Sequence, residues 1–362
     1  MKVINKKNQI TGCILGTAVG DALGLNLEGL SRNRQLKFAG KFEKYGFLFG
    51  KGMVSDDTEH TCFVAESIIE SNGDPKIFSS VLSRKLKLWM LLLPAGTGKA
   101  TLKSVIKMLF GVPPEKSGVF SAGNGPAMRS PVLGIAYGDN IEKLKELVRL
   151  STRMTHIDPK AEYGALAVAI AAHISAKNIE NQEISKTFSK LLWSCFDEET
   201  ESRDDFKEFR ELIDKSLESF NNGDNTADFC DSIGLSDGVS GYVYHTVPVV
   251  IHCWLRNATD LKSGLIEIIR CGGDSDTTAA ILGGIVGSGV GKNGIPDDLL
   301  ENLCEWPRTV KWMEELACTL SSSLNGEKCK VPKVSFFKVL IRNLFFLCVV
   351  LTHGFRRLLP PY

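Results

Sequence analysis

Ile10-Thr11-Gly12-Cys13-Ile14-Leu15-Gly16-Thr17-Ala18-Val19-Gly20-Asp21-Ala22-Leu23-Gly24-Leu25 carries four glycines spaced four residues apart. That interval puts Gly12, Gly16, Gly20 and Gly24 on one stripe of a helix, where a second backbone can approach closely. Each glycine costs a helix about 1 kcal/mol relative to alanine, so four on one face point to tight packing or a site as compensation. The stripe predicts a buried helix. It leaves open whether the partner lies in the same chain or in another copy.

Working outward, helical periodicity recurs along the chain. Residues 59–71, 76–92, 140–151, 161–177, 243–256, 261–270 and 276–290 read as helices. Phe206, Phe209, Leu212, Ile213 and Leu217 define an amphipathic helix within the charge-dense stretch 197–228. Gly111 to Gly125 reads as a Pro/Gly-rich loop. No alternating strand pattern of convincing length, internal repeat or low-complexity linker interrupts the series. The expected fold class is all-α: one compact multi-helix domain over residues 1–330, then an apolar and basic tail over residues 331–362.

Of the 362 residues 43% are apolar and 23% charged, with a formal net charge of +1, which removes the electrostatic case from overall charge for non-specific nucleic-acid or membrane-surface binding. The ten cysteines are scattered, mostly among apolar neighbours, with no C-x-x-C pair. Reduced, buried thiols in a cytoplasmic protein are the expectation, not a zinc site or disulfide framework. Ile10-Thr11-Gly12-Cys13 superficially resembles a lipoprotein cleavage box, but no apolar signal core precedes it. Leu344 to Leu351 is strongly apolar, yet Lys338, Arg342 and His353 bracket a run of only eight. A bilayer span takes roughly 20 apolar residues, so the tail is expected to pack on the core or on a partner, with an interfacial helix as the alternative.

Two acidic clusters carry the chemistry: Ser55-Asp56-Asp57-Thr58 and Asp274-Ser275-Asp276-Thr277, each at the start of an apolar helix. Taken singly, each reads as a helix cap, since aspartate accepts the orphan N–H bonds of a first turn. A cap needs one carboxylate, and each cluster offers two. Gly272 and Gly273 permit a tight turn that aims the second pair. Four convergent carboxylates would be balanced by two divalent cations, and all-oxygen ligands favour Mg²⁺ or Mn²⁺ over zinc, with Ca²⁺ open.

These clusters belong to a series that resembles the ADP-ribosylglycohydrolase family, typified by dinitrogenase-reductase-activating glycohydrolase. Gly16-Thr17-Ala18-Val19-Gly20-Asp21-Ala22-Leu23-Gly24 resembles the opening motif, with Glu28 at the expected offset. Ser55-Asp56-Asp57-Thr58 is similar to the first metal motif, and Gly123-Asn124-Gly125-Pro126-Ala127-Met128-Arg129 to the G-N-G-x-x-M-R segment. Thr155-His156 resembles the T-H motif, and Cys271-Gly272-Gly273-Asp274-Ser275-Asp276-Thr277-Thr278 the second metal motif. The likeness covers about residues 10–320.

The resemblance implies an all-α domain with a dinuclear Mg²⁺ or Mn²⁺ centre in a cleft. Ser55, Asp56, Asp57, Asp274, Asp276 and Thr277 would be its metal ligands, and Glu28, Asp57 and Asp274 its catalytic groups. Asn124, Gly125, Arg129 and His156 would meet the substrate, an ADP-ribosylated protein or small ADP-ribosyl compound, arginine-linked by default. Some members use a further aspartate between the first metal motif and the G-N-G segment. Between Pro75 and Gly123 the only acid is Glu115, so the proton-transfer residue stays unassigned. Arg129 and His156 also read as structural residues. Tyr242, Tyr244 and His245 read either as an adenine platform or, preferably, as core. Gly96-Thr97-Gly98-Lys99 is no P-loop, because Leu93 and Ala100 stand where that motif needs Gly and Ser/Thr; a glycine-rich loop lining the cleft fits better. Two alternatives to the hydrolase stay open: a non-catalytic, crystallin-like relative, and a metal-dependent hydrolase of another substituted ribose.

Overall fold

The computed structural model describes residues 5–37, 42–47, 49–179 and 181–357. Within them the chain is helical with no β-strand, only isolated bridges that tie loops together. The helices that position the site are α1 (Lys6–Gly24), α2 (Asp56–Ser71), α3 (Pro75–Leu91), α4 (Lys99–Leu109), α5 (Pro159–Ala176), α6 (Val243–Arg256), α7 (Ser275–Val290), α8 (Val310–Leu324) and α9 (Phe336–Arg357).

The centre of the molecule is an antiparallel pair, α1 against α7. A methyl built on Gly12, Gly16, Gly20 or Gly24 would overlap the carbonyl oxygens of Gly287, Gly283, Ala279 and Ser275 respectively. Gly283 and Gly287 are under the same constraint from α1. The stripe of glycines is therefore a backbone-on-backbone seam within one chain. Every residue of α1 from Ile10 to Gly24 is buried. Helix α5 lies against α7, α8 against α1, and α2 against α3 and α8, enclosing the seam.

Helix starts follow local chemistry. Helix α2 begins at Asp56, three residues before the expected start, because the Ser55 side chain accepts from the Asp57 N–H. Helices α3 and α5 open with Pro75 and Pro159 at their first turn, behind the capping side chains of Asp74 and Asp158. The Gly111–Gly125 stretch contains a helical turn, Pro114–Ser117. Helices α4 and α8 lie outside the segments whose periodicity predicts a helix.

The tail corrects the reading most. Residues Phe336–Arg357 form a 22-residue helix, not a run of eight. Arg342 does not end the apolar stretch; it turns inward to the Glu305 carboxylate (2.8 and 2.9 Å). Asn343 beside it donates to the Leu92 carbonyl at 2.9 Å. Two described helices are long and apolar enough to cross a membrane, Lys6–Leu27 and Phe336–Arg357; the first is core, and the second buries only one face.

Candidate active site

The first turns of α2 and α7 meet at a cavity of about 330 Å³. It is lined by Glu28, Asp56, Asp274, Asp276 and Thr277, and across from them by the Gly96–Thr101 and Gly123–Gly125 segments and His156. The clusters, more than two hundred residues apart in sequence, are joined directly: the Thr277 hydroxyl donates to Asp57 Oδ2 at 3.2 Å. Ser55 Oγ donates to the same oxygen at 3.2 Å.

Asp21 lies behind this front row. Its buried carboxylate accepts from the Ser55 N–H (3.0 and 2.9 Å), the Thr58 N–H (3.1 Å) and the Thr58 hydroxyl (2.6 Å). Thus α1 holds the N-terminus of α2 while its glycines hold α7. In the sequence Asp21 stands only as one position of the opening motif. Its signal was there, as the one charge in the apolar run from Ile10 to Leu27.

Gly272 and Gly273 both take positive φ, and a side chain at Gly273 would collide with the Val239 backbone. Their turn pairs with Leu30 on one side and Val239 on the other, so the Glu28 loop and the second acidic cluster are pinned together. Glu28 sits at the rim, exposed as a residue but with its carboxyl turned in toward Asp274 and Asp276. Asn124 donates to Asp274 Oδ2 at 2.7 Å and to Thr246 Oγ1 at 3.0 Å. Gly123 and Gly125 leave room for the His156 ring. That ring bonds the Thr155 hydroxyl through Nδ1 at 2.9 Å, and burial with the Arg129 charge lowers its pKa to about 3, so it stays neutral.

Arg129, like Ser55 and Asp57, does not line the cavity. It is wholly buried and bonds Ser151 Oγ, the Ser151 carbonyl and Thr155 Oγ1 at 2.7–3.0 Å. Its role is to brace the loop that carries His156. Tyr244 is core and Tyr242 bonds Lys160, so neither lines the cavity. Lys99, at the start of α4, does line it; the glycines before it had drawn attention only to the loop.

Electrostatically the site is overloaded with negative charge. Burial pushes Asp21 up to about 7 despite the three groups that donate to it. Burial, then repulsion from neighbouring acids, holds Asp56, Asp57 and Asp276 well above the usual carboxylate range. Loss of water and the Asp274 charge raise Glu28 as well. As placed, no three His, Cys, Asp or Glu side chains among the described residues form a ready metal cage. Asp57 and Asp274 are turned onto Ser55, Thr277 and Asn124 instead. Yet Asp57 Oδ1 and Asp276 Oδ1 are buried with no hydrogen-bond partner. Buried orphan carboxylate oxygens in an all-oxygen donor set fit a hard divalent cation.

The profile of the ADP-ribosylglycohydrolase family matches residues 3–328. This chain belongs to that family. An uncharacterized protein of Archaeoglobus fulgidus is 29% identical, covering 87% of this chain and 96% of its own. The ADP-ribosyl-[dinitrogen reductase] glycohydrolase of Rhodospirillum rubrum is 25% identical, over 81% of this chain and 89% of its own. Human ADP-ribosylhydrolase ARH3 is 27% identical over 52% of this chain and 55% of its own. A solved ADP-ribosylglycohydrolase-related protein complex shares the fold, with a TM-score of 0.62 at 23% identity, covering 88% of this chain and 99% of that one.

Proposed function

We propose that this member of the ADP-ribosylglycohydrolase family cleaves the bond between the anomeric carbon of ADP-ribose and a modified side chain, arginine-linked by default, using two Mg²⁺ or Mn²⁺ ions. The observation that carries the reading is the meeting of both acidic clusters and Glu28 at one cavity faced by a glycine-rich wall. Ser55, Asp56, Asp57, Asp274, Asp276 and Thr277 would hold the ions, which when bound neutralise the cluster and orient ribose hydroxyls and water.

The protein's own groups do the rest. Glu28, raised toward the protonated form, stands at the rim where a leaving group exits and is suited to give it a proton. Asp274, held by Asn124, faces the oxocarbenium-like charge that develops on the ribose. Backbone N–H groups around Gly125 and at the start of α4, with Lys99, suit the diphosphate. Neutral His156 offers the substrate one ring nitrogen. An ADP-ribosylated protein or small ADP-ribosyl compound in the cytoplasm is the expected substrate, in keeping with ten free thiols.

The test is release of ADP-ribose from arginine- and serine-modified proteins with Mg²⁺, Mn²⁺ or chelator. Activity should vanish with chelator and fall at least about 100-fold in Asp274→Asn. Full activity in that variant would refute the assignment. A folded, metal-binding protein inert on every ADP-ribosyl substrate would favour the non-catalytic reading.

A further inference from the structure

Helix α9 lies beyond the stretch that matches the family, and its two faces differ sharply. Val339, Arg342, Asn343 and Phe346 face inward and are buried. The outward face is apolar over the length of the helix: Phe337 is 75% exposed, Ile341 60%, Phe345 51%, Leu351 51% and Phe355 67%. Twenty-two residues at 1.5 Å each make this a ridge roughly 33 Å long. Exposed apolar surface on that scale marks a binding face.

Charge identifies the partner. From Lys328 to Arg357 the chain has seven basic residues and no Asp or Glu. Arg342 is neutralised by Glu305. The exposed Lys328, Lys330, Lys333 and Lys338 gather at the start of the ridge, and Arg356 and Arg357 stand at its end. A two-fold contact between copies along α9 would set this acid-free, basic surface against itself. A transmembrane course would strip Arg342 and Asn343 from Glu305 and the Leu92 carbonyl, leaving both in hydrocarbon. An apolar ridge flanked by cations, with its polar groups satisfied inward, fits a membrane surface rich in anionic headgroups.

We propose that the outward face of α9 docks this protein on an anionic lipid surface, with the helix lying in the plane of the interface. The anchoring end also touches the site: Arg357 donates to the carbonyls of Glu28 and Asn26 at 2.7 and 2.6 Å. Docking therefore places the Glu28 rim near the membrane.

The experiment is co-sedimentation of the full chain with vesicles of phosphatidylcholine alone or with about one-third phosphatidylserine. Binding is expected to the mixed vesicles and not to the neutral ones, and to weaken as NaCl rises. Ile341→Glu and Phe345→Glu should each reduce it at least about tenfold, and Lys338→Gln about fivefold, with the circular-dichroism spectrum and melting temperature of wild type. Failure to bind mixed vesicles, equal binding to neutral ones, or undiminished binding by the two glutamate variants would overturn the proposal. So would a dimer in sedimentation equilibrium that these variants dissociate while wild type ignores vesicles.

Discussion

At Asp21 one carboxylate accepts four hydrogen bonds and is still pushed up to about 7, because burial outweighs its donors. Asp56, Asp57 and Asp276 are shifted the same way. A folded-state pKa above the unfolded one means that the charged form is penalised by folding. The stability is whole below the ordinary carboxylate range near pH 4 and is lost as pH climbs through the folded values. The metal-free protein should thus melt at a higher temperature at pH 5 than at pH 8. Saturating Mg²⁺ or Mn²⁺ should remove most of that difference by compensating the charge. Calorimetry at the two pH values, with and without metal, checks this; a metal-free protein that is more stable at pH 8 contradicts it.

Among elements, the α1–α7 seam has the least freedom. Gly16→Ala would force the Gly283 backbone away, and overpacking of that kind costs about 3 kcal/mol. Because α1 carries Asp21 and α7 begins at the second cluster, a loss of activity should accompany the loss in urea midpoint. The glycine stripe of α1 was legible from spacing, though not its partner α7, as were the helix Val243–Arg256 and both acidic clusters, whose signals are local. What escaped depends on distant partners. Nothing near Arg342 reveals Glu305, so a charge that completes the buried face of α9 read as the end of an apolar run. Nothing near Arg129 reveals its partners Ser151 and Thr155, so the sequence leaves a substrate and a structural role both open. Asp21 needed Ser55 and Thr58 to show its use.

For the whole molecule, the Arg342–Glu305 pair is the rivet joining α9 to the body, with side chains 4% and 3% exposed. Glu305→Ala leaves a buried guanidinium unpaired and should cost about 3–5 kcal/mol in urea denaturation. The double change Glu305→Leu with Arg342→Met should recover most of that loss, since the charge and its counter-charge leave together. A single variant as stable as wild type would show that α9 is held by its apolar contacts alone. The glycine seam, finally, sets an order of assembly. Gly24 leaves the ribosome 251 residues ahead of Ser275, the partner it touches. Closing a loop of that length costs about 5 kcal/mol of chain entropy, recovered only when the late helix arrives. Until then the first helix is a greasy segment without a lid. A nascent chain that stalls before Ser275 holds half of the acidic set and an open seam, which makes it a client for chaperones or proteases. The site is completed only in the last quarter of the chain's synthesis.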